Sequence, residues 1–574
     1  MKKKDFVVRF AGEGGQGFLS AAQGFASANT TAGYHSQTFA TFPSQITGGP
    51  TWMQARIATY PIHTRGDELD VLVVFNEEAF QNHKGELHKN GVVLYDSEKL
   101  EVSENMRKLG LPFEKLGKST GNARAANMVM LGALATLVNL PLDILEEFIR
   151  IRWGDVSRYG ETIVPANIKA LELGKEEALK SSFSVGELEL PTKSKHDQIL
   201  LNGNEAIALG AIHAGVNFFV GYPISPATSI LVWMQKNLVG EGKFVYQASS
   251  EIEAITALLG AGYSGAKAMT STAGPGFSLM SEGLGMGWIA EIPLVIVDVQ
   301  RGGPATGLPT KTEQSDFLSA LNPAHGDVML PVIAPGTVEE CFYATIAAFN
   351  WAETYQGPVI LLSEHSLSER QQNIIRPDLS KIKVENRNIF SGEGEYQRYQ
   401  SDNVSPMPIP GSAGSYVANA SEHDGVGDTT HLPHRHVEMT NRRFSKLSLL
   451  QDGSYESENL DSGTVILPWG GSKGSGREAY DRLIREGYSV GWAYTMFLHP
   501  LPPDLLSVLK DQDLVLVPEL NYLGQFSSYL RGLGINAHSI TQYTGLPFKV
   551  GDLVEMIKEK LDSSTQIFIG GLKY

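Results

Sequence analysis

Apolar and polar positions near the start of the chain alternate as the strands and helices of an α/β domain do. Three short apolar runs have the length of buried parallel strands, at residues 6–10, 70–75 and 91–95. A glycine-rich turn and an alanine-rich segment from about Leu19 follow the first run, which is typical of a strand–turn–helix unit. The pattern predicts an α/β domain over residues 1–190, and the charged, mixed composition that follows predicts a linker.

The same alternation returns twice further along the chain. Strand-length apolar runs lie at residues 217–220, 266–270, 293–299 and 358–362, and again at 464–467, 488–492 and 514–517. Residues 381–455 are polar and lack a sustained period, which predicts an irregular connecting segment. The sequence therefore predicts a multidomain α/β protein with further domains at 197–380 and 456–574.

Length, charge and cysteine content narrow the class of protein. A chain of 574 residues is too long for one core, and its net charge of −16 disfavours binding to nucleic acid, whose phosphates would repel it. The single cysteine, Cys341, excludes an iron–sulfur cluster or a cysteine zinc site built by this chain alone. No apolar run approaches the roughly 20 residues that a bilayer requires, and Arg9 interrupts the apolar N-terminus. We expect a cytoplasmic protein that does not bind a membrane.

A glycine-rich loop, residues 12–17, stands between the first predicted strand and helix. Its backbone N–H groups and the start of the helix could hold a phosphate, which makes cofactor-binding candidates of Gly14, Gly15 and Gln16. A tight turn that lets the helix pack closely on the strand explains the glycines equally well. An NAD-binding loop would need an acidic residue about 20 positions further on. The next acid after Glu13 is Asp67, which disfavours NAD.

A rigid loop follows the predicted strand at 217–220 and consists of Tyr222, Pro223, Ile224, Ser225 and Pro226. Its prolines restrict the backbone, and its serine hydroxyl stands outside the carboxyl end of the strand, where α/β sheets bind ligands. A proline-containing turn without a function would explain the same residues.

Two acidic residues begin a predicted helix just after Ser250. Ser250 and Glu253 fit a capping box, and Glu251 is a first-turn acid that interacts favourably with the helix dipole. Both acids therefore have structural explanations that require no catalytic role.

Arg301 lies at the carboxyl end of the strand predicted at 293–299, followed by glycines that let a ligand approach. Its guanidinium is a fork that matches the geometry of a carboxylate. An ion pair with a neighbouring acid explains this arginine about equally well.

These segments together resemble the alpha subunit of 2-oxoacid:ferredoxin oxidoreductases. The resemblance rests on residues 222–226, 250–251, 272–276 and, most specifically, 301–314. The Gly-Gly-Gln-Gly loop and Gly48-Gly49-Pro50 are similar to the family's gamma module, and residues 518–525 to its transketolase-C-terminal-like domain. The resemblance implies a fused gamma–alpha large subunit: a gamma-type α/β domain, a pyrimidine-type thiamine-diphosphate domain and a transketolase-C-terminal-like domain.

The resemblance also implies roles for the candidate residues. Glu251 matches the glutamate that faces N1′ of the aminopyrimidine of thiamine diphosphate, where a buried carboxylate can share a proton with the ring nitrogen. Arg301 and Ser225 match residues at the carboxylate and carbonyl end of the substrate. Their neighbours complete the implied site, with Tyr222 and Thr306 near the substrate and Pro223, Ile224 and Gly274 near the cofactor.

A second chain is implied as well. This sequence lacks the Gly-Asp-Gly…Asn motif with which the family holds a divalent metal on the diphosphate, so we expect no metal site here. A beta subunit would carry that site, its Mg²⁺ and a [4Fe–4S] cluster. Coenzyme A would accept the acyl group and ferredoxin the two electrons. The family further implies a dimer of alpha–beta units.

The resemblance favours 2-oxoglutarate as substrate, converted to succinyl-CoA and CO2 or formed in the reverse direction, with pyruvate as the close alternative. Other classes stay open: an NAD-linked dehydrogenase, a scaffold that has lost its activity, and a transketolase or decarboxylase without redox chemistry. Four histidines cluster without a familiar ligand spacing, and solvated loop histidines explain them best: His423, His431, His434 and His436.

Overall fold

The computed structural model describes residues 2–42, 49–122, 124–181, 183–191, 197–400, 404–451 and 453–569. Gly48 and part of the predicted linker lie outside these residues. The chain divides into two compact units, Met1–Leu201 with Arg370–Arg376 and Asn202–Glu369 with Pro377–Tyr574. The domain boundaries drawn from the sequence stay predictions.

The first unit contains a large sheet and seven helices within its described residues. Its strands are β1 (Lys2–Lys3), β2 (Asp5–Glu13), β3 (His35–Thr41), β4 (Pro50–Ala58), β5 (Leu69–Val74), β6 (Leu87–Asp96), β7 (Lys108–Leu111), β8 (Glu187–Leu188), β9 (Gln198–Leu201) and β16 (Gln372–Ile375). Its helices are α1 (Phe18–Thr31), α2 (Glu77–His83), α3 (Phe113–Ser119), α4 (Ala126–Leu137), α5 (Leu142–Trp153), α6 (Val156–Tyr159) and α7 (Ile163–Leu179), with a 3₁₀ turn at Lys84–Glu86.

Eight of these strands form one sheet in the order β7-β6-β5-β2-β4-β3-β16-β9, and β1 pairs with β8. The three strands predicted from apolar runs are β2, β5 and β6, which are parallel as predicted. Strand β4, however, is antiparallel to both β2 and β3, so the sheet is mixed. Alternate residues of β2, Phe6, Val8 and Phe10, pack into a core with apolar side chains of α1, α4, α5 and α7.

Helices α4 and α7 cross at two glycines. A Cβ atom on Gly132 would stand 2.1 Å from the carbonyl oxygen of Leu171, and one on Gly174 would stand 2.0 Å from that of Val129. Each glycine therefore allows the backbones to approach more closely than any side chain would permit.

The second unit contains the other strands and helices. Its strands are β10 (Phe218–Gly221), β11 (Phe244–Gln247), β12 (Ala268–Thr272), β13 (Leu294–Gln300), β14 (Val332–Ile333), β15 (Pro358–Glu364), β17 (Glu456–Glu458), β18 (Thr464–Ile466), β19 (Gly491–Tyr494), β20 (Phe497–His499), β21 (Leu514–Glu519) and β22 (Ala537–Thr541). Its helices are α8 (Gly203–His213), α9 (Thr228–Asn237), α10 (Glu251–Tyr263), α11 (Gly274–Leu279), α12 (Ser281–Ile289), α13 (Phe317–Leu321), α14 (Val338–Tyr355), α15 (His365–Ser368), α16 (Pro433–Ser445), α17 (Lys473–Arg485), α18 (Pro503–Lys510), α19 (Gln525–Gly532) and α20 (Val550–Ile569). Shorter 3₁₀ turns lie at Leu379–Lys381, Lys446–Leu449, Leu460–Ser462 and Gly470–Ser472.

Two sheets form the core of this second unit. Seven strands follow the order β11-β10-β12-β13-β15-β14-β20, and five follow the order β17-β19-β18-β21-β22. In the larger sheet the pairs from β11 to β14 are parallel, and β20 joins β14 antiparallel. The apolar runs predicted as strands lie at β10, β12, β13, β15, β18, β19 and β21, which confirms them as strands within two to three residues. No helix of the described chain is long and apolar enough to cross a membrane.

The segment 381–455, predicted to be irregular, contains the 13-residue helix α16. The prediction was wrong there because the helix buries charged as well as apolar side chains. Its buried positions are Met439, Arg442 and Arg443, so two arginines interrupt the apolar period that would have revealed the helix.

A buried carboxylate, Glu291, holds this helix in place. Arg442 donates to both of its oxygens at 2.8 and 3.0 Å, and Lys446 donates at 2.8 Å. Burial acts to raise the pKa of Glu291, but the charges of Lys446, Arg398 and Arg442 outweigh it and lower the pKa. The carboxylate is therefore ionised and the buried cations have a counter-charge.

We expect Gly174→Ala to lower the apparent Tm by roughly 4–8 °C, because its new Cβ must push α7 away from the backbone of α4. Differential scanning calorimetry measures the shift. Gly260→Ala on α10 is the matched control: no atom lies within 4 Å of its added Cβ, so the Tm should stay unchanged or rise slightly. Equal effects of the two substitutions would contradict the close crossing.

Candidate active site

The candidate residues of the second unit gather at one edge of the seven-stranded sheet. Strands β11, β10, β12 and β13 are adjacent and parallel, so the segments that follow them leave the sheet on the same side. These segments carry the predicted site: Glu251 after β11, Tyr222, Pro223, Ile224 and Ser225 after β10, Gly274 after β12, and Arg301 and Thr306 after β13. The site residues therefore share an edge because of the strand order.

Glu251 is the first residue of α10 and is 5% exposed. The hydroxyl of Ser250 caps the helix by accepting the N–H of Glu253 at 3.2 Å, as predicted. The second half of the predicted capping box does not form: the Glu253 carboxylate accepts from the backbone N–H and hydroxyl of Ser249, both at 2.6 Å. Capping thus explains Glu253, whereas Glu251 takes no part in the cap and is a first-turn acid of α10, as predicted.

A glycine turn closes around the Glu251 carboxylate. A Cβ on Gly276 would stand 2.4 Å from Oε1 of Glu251 and 2.2 Å from the hydroxyl oxygen of Thr272. Among the residues that the structure describes, no hydrogen bond to the Glu251 carboxylate is found. A nearly buried carboxylate whose oxygens have no hydrogen-bond partner in the described chain is suited to a ligand that brings its own hydrogen-bonding nitrogen, as an aminopyrimidine does.

Arg301 connects two of the loops. Its guanidinium donates to the carbonyl oxygen of Ser225 at 2.7 Å and to that of Thr306 at 3.4 Å. The side chain is buried, whereas Tyr222, Ser225 and Thr306 are exposed. Burial lowers the pKa of Arg301 and the Asp316 carboxylate opposes this effect. The arginine therefore orders the predicted substrate loops through their carbonyl groups, and among the described residues it forms no close ion pair.

The long segment after Arg301 is anchored by Gln314, which sequence reasoning did not single out. Its side chain donates to the carbonyl of Trp469 at 2.7 Å and accepts the N–H of Leu520 at 2.9 Å. Its backbone N–H donates to the carbonyl of Leu520 at 2.7 Å, and its carbonyl accepts the side-chain amide of Asn521 at 3.0 Å. Four hydrogen bonds to distant residues hold this segment.

Sequence reasoning also missed two aspartates near Arg301, the fully buried Asp298 and the half-buried Asp316. Burial raises the pKa of Asp298 well above its usual range, and the charge of Asp316 adds to the effect. Burial also raises the pKa of Asp316 to about 6, with Glu313 acting in the same direction and Arg301 against it. An apolar strand with one interior aspartate, residues 294–300, is the sequence feature that could have revealed the first of them.

The N-terminal glycine loop belongs to the first unit. Gly15 is exposed, has a φ of +96° and has open space where a side chain would lie. The side-chain oxygen of Gln16 accepts the N–H of Glu13 at 2.9 Å, so this amide closes the turn. Helix α1 begins at Phe18 without a side-chain cap. The loop thus forms the tight turn that the sequence allowed and leaves its helix N-terminus uncapped.

The histidine cluster differs from its prediction. His423 is fully buried with its ring 4.2 Å from that of Tyr399, and His436 lies on α16 with Nδ1 2.6 Å from the Glu422 carboxylate. The prediction of solvated loop histidines is therefore wrong for His423, which is buried. His434 and His436 are exposed as predicted but lie on a helix, and His431 is an exposed loop residue as predicted. In the described part of the chain no group of three or more His, Cys, Asp or Glu side chains could hold a metal ion.

Comparison with known proteins identifies the family. Residues 7–177 match the family model for pyruvate ferredoxin/flavodoxin oxidoreductase, and residues 209–441 match the one for its thiamine-diphosphate-binding region. The 2-oxoglutarate oxidoreductase subunit KorA of Mycobacterium tuberculosis is 32% identical over 97% of this chain and 92% of its own length. This chain belongs to the 2-oxoacid:ferredoxin oxidoreductase family.

Two further relatives support the same family assignment. The 2-oxoglutarate synthase subunit KorA of Methanocaldococcus jannaschii is 37% identical over 57% of this chain and 88% of its own. A solved structure of the 2-oxoglutarate:ferredoxin oxidoreductase of Magnetococcus marinus, with 2-oxoglutarate, coenzyme A and succinyl-CoA bound, has a TM-score of 0.92 and 36% identity, covering 97% of this chain and 99% of that one. The predicted family and multidomain α/β fold are confirmed, and relatives named as subunits indicate that partner subunits exist.

We expect Gln314→Met to lower the free energy of unfolding by roughly 2–4 kcal/mol, because the Leu520 N–H and the Trp469 carbonyl lose their buried partners. Chemical denaturation measures the change. Trypsin should also cleave faster after Lys311, since the segment after Arg301 loses its anchor. Gln235→Met, on the exposed surface of α9, is the control and should alter neither property. An unchanged cleavage rate in Gln314→Met would contradict the anchoring role.

Proposed function

We propose that this chain is the alpha subunit of a coenzyme A-dependent 2-oxoglutarate:ferredoxin oxidoreductase. One 2-oxoglutarate and one coenzyme A give succinyl-CoA and CO2, and two electrons pass singly to ferredoxin; the same site serves the reverse reaction. The observation that carries this proposal is the nearly buried carboxylate of Glu251, which has no hydrogen-bond partner among the described residues. It is supported by the bound 2-oxoglutarate, coenzyme A and succinyl-CoA of the Magnetococcus marinus relative.

Glu251 is the residue that we assign to the cofactor. Thiamine diphosphate, when bound, supplies the electron sink that decarboxylation of a 2-oxoacid needs. Glu251 holds a proton between its carboxylate and the N1′ position of the aminopyrimidine. Gly276 keeps the space beside this carboxylate free of side chains, and the neighbouring loop residues Pro223, Ile224 and Gly274 line the same site.

Arg301 is the residue that we assign to the substrate. Its guanidinium binds the carboxylate next to the reacting carbonyl, and the loops that it orders bring the Ser225 and Thr306 side chains to the same edge of the sheet. Tyr222, 39% exposed, provides an apolar face beside them. This arrangement recognises the part that all 2-oxoacids share, so selection of the distal carboxylate of 2-oxoglutarate requires a further cation.

A beta subunit completes the enzyme in this proposal. It carries the diphosphate site, its Mg²⁺ and the [4Fe–4S] cluster, because one cysteine cannot hold a cluster. Two alpha–beta units associate as a dimer. In the first unit, Gly14 and Gly15 receive a phosphate of coenzyme A at the uncapped start of α1, with Gln16 closing the turn. The cytoplasmic location stays a prediction.

The substrate assignment is tested on the complex purified anaerobically from its native source. We expect rapid reduction of ferredoxin or a viologen dye with 2-oxoglutarate, lost when coenzyme A is omitted, and much slower reduction with pyruvate. Faster reduction with pyruvate would replace the substrate and keep the reaction class. No reduction with either acid, in a complex that contains iron and thiamine diphosphate, would overturn both.

The role of Glu251 is tested by Glu251→Gln. We expect kcat to fall by about 100-fold or more, because the amide cannot share a proton with the cofactor ring. Glu253→Gln is the matched control two residues along the same helix: its side chain only bonds to Ser249, so kcat should change by less than about threefold. Thiamine diphosphate binding, measured by calorimetry, separates loss of chemistry from loss of cofactor. Equal activity of the two variants would contradict the assignment.

A further inference from the structure

The buried cluster around Glu291 contains more cations than anions. Arg442 bonds to both carboxylate oxygens and Lys446 to one, and Nη2 of Arg398 lies 3.8 Å from Oε2. All four residues are at most 4% exposed. Three positive charges and one negative charge would therefore occupy a space that excludes water, and such an excess is disfavoured because burial opposes every uncompensated charge.

The acids on the elements that pack against this cluster have cations of their own. Glu353 on α14 accepts two hydrogen bonds from Arg387, at 2.8 and 2.9 Å. Glu422 accepts one from Arg443 of α16 at 2.7 Å. The buried His423 adds no charge at neutral pH, because burial lowers its pKa. These neighbours therefore leave the excess positive charge of the cluster in place.

Only one of the three cations can lose its proton. An arginine keeps its charge in proteins, whereas a buried lysine readily becomes neutral. Arg398 also has uncharged acceptors that suit a guanidinium: Oε1 of Gln356 and the hydroxyl of Ser405 each accept a proton at 2.7 Å. Lys446 is therefore the residue at which the excess charge can be relieved.

The hydrogen bonds of Lys446 match those of a neutral amine. Its Nζ donates to Oε2 of Glu291 at 2.8 Å and to the carbonyl oxygen of Gln356 at 3.0 Å, and the described residues provide no third acceptor. A neutral amine has two N–H groups and an ammonium has three, so the charged form leaves one without an acceptor. The ring of Tyr355, with its centre 5.6 Å from Nζ, lies near the outer limit of a cation–π contact. Burial and the two arginines lower the pKa of this amine to about 7, and Glu291 acts against them.

We propose that Lys446 is a pH-sensitive latch of the connecting segment 381–455: its neutral form holds α16 against Glu291, and uptake of a proton weakens that hold. When α16 moves away, the amine enters water and regains the ordinary lysine pKa of about 10.4. Opening then takes up a proton at any pH between the two pKa values, so the closed state gains stability as the pH rises from about 7 to about 10. Below about pH 7 both states carry the proton and the dependence ends. The latch is independent of the function proposed above.

Hydrogen exchange on the whole complex, followed by mass spectrometry, measures how often α16 opens. We expect the protection factors of its amides, corrected for the intrinsic exchange rate, to rise about tenfold per pH unit between about pH 7.5 and about pH 9. This is the effect of one proton taken up on opening. The amides of α4 in the first unit, measured in the same sample, should show no such rise. Flat protection factors in α16, or an equal rise in α4, would overturn the latch.

Lys446→Met identifies the residue that takes up the proton. Methionine is similar in length but neither ionises nor donates, so α16 should be less protected at every pH and its protection should no longer rise with pH. Lys236→Met, on the exposed surface of α9, is the control and should keep the wild-type rise. A rise that persists in Lys446→Met would overturn the latch and assign the proton to another ionisable group, such as His436 beside Glu422. If Lys446→Met does not fold, the comparison of α16 with α4 in the wild type still decides.

Discussion

The hydrogen bonds of Gln314 are the interaction on which the candidate site depends. The segment between Arg301 and Asp316 is long, largely exposed at its middle and without regular structure of its own. Such a segment keeps a defined shape only when distant groups hold it, because each freely rotating residue costs about 1–2 kcal/mol of entropy to order. Gln314 provides four hydrogen bonds to residues near the ends of β18 and β21. The C-terminal part of the chain thus shapes the site although it contributes no catalytic candidate.

Charge is the second constraint on the site. Acidic side chains outnumber basic ones near Arg301: burial raises the pKa of Asp298, Glu313 and Asp316, the charge of Asp316 adds to the effect on Asp298, and that of Glu313 to the effect on Asp316. Burial disfavours the ionised form of each of these acids, and one arginine offsets only part of their repulsion. Partial protonation therefore lowers the negative charge of this acid-rich region.

Burial and neighbouring charges also set the protonation of Glu291. Here the neighbouring charges outweigh burial, and the pKa is lowered. There three cations surround one carboxylate, the carboxylate stays ionised, and the helix α16 is held by charge as well as by apolar packing. Removing either side of such a cluster leaves an uncompensated buried charge, which costs about 3–5 kcal/mol. The contrast shows that burial alone does not decide protonation; the number and sign of neighbouring charges do.

The family and most strands could be predicted from the sequence, since apolar runs bounded by glycine and proline are local features. The segments 222–226, 250–251, 272–276 and 301–314 together predicted the family, which the comparisons confirm. Local sequence features did not predict the antiparallel pairing of β4 in the first sheet, the half-formed capping box at Ser250 or the helix α16.

What the sequence by itself determined is therefore the set of elements and the residue types that could do the chemistry. Tertiary structure alone decided that Gln314 bonds to Trp469 and Leu520, and that the backbone of Asp316 bonds to Gln300 at the end of β13. The physical reason is that strand propensity and helix capping act over a few residues. Buried hydrogen bonds and buried charges, in contrast, depend on which distant segments the fold brings together and on how completely it excludes water from them.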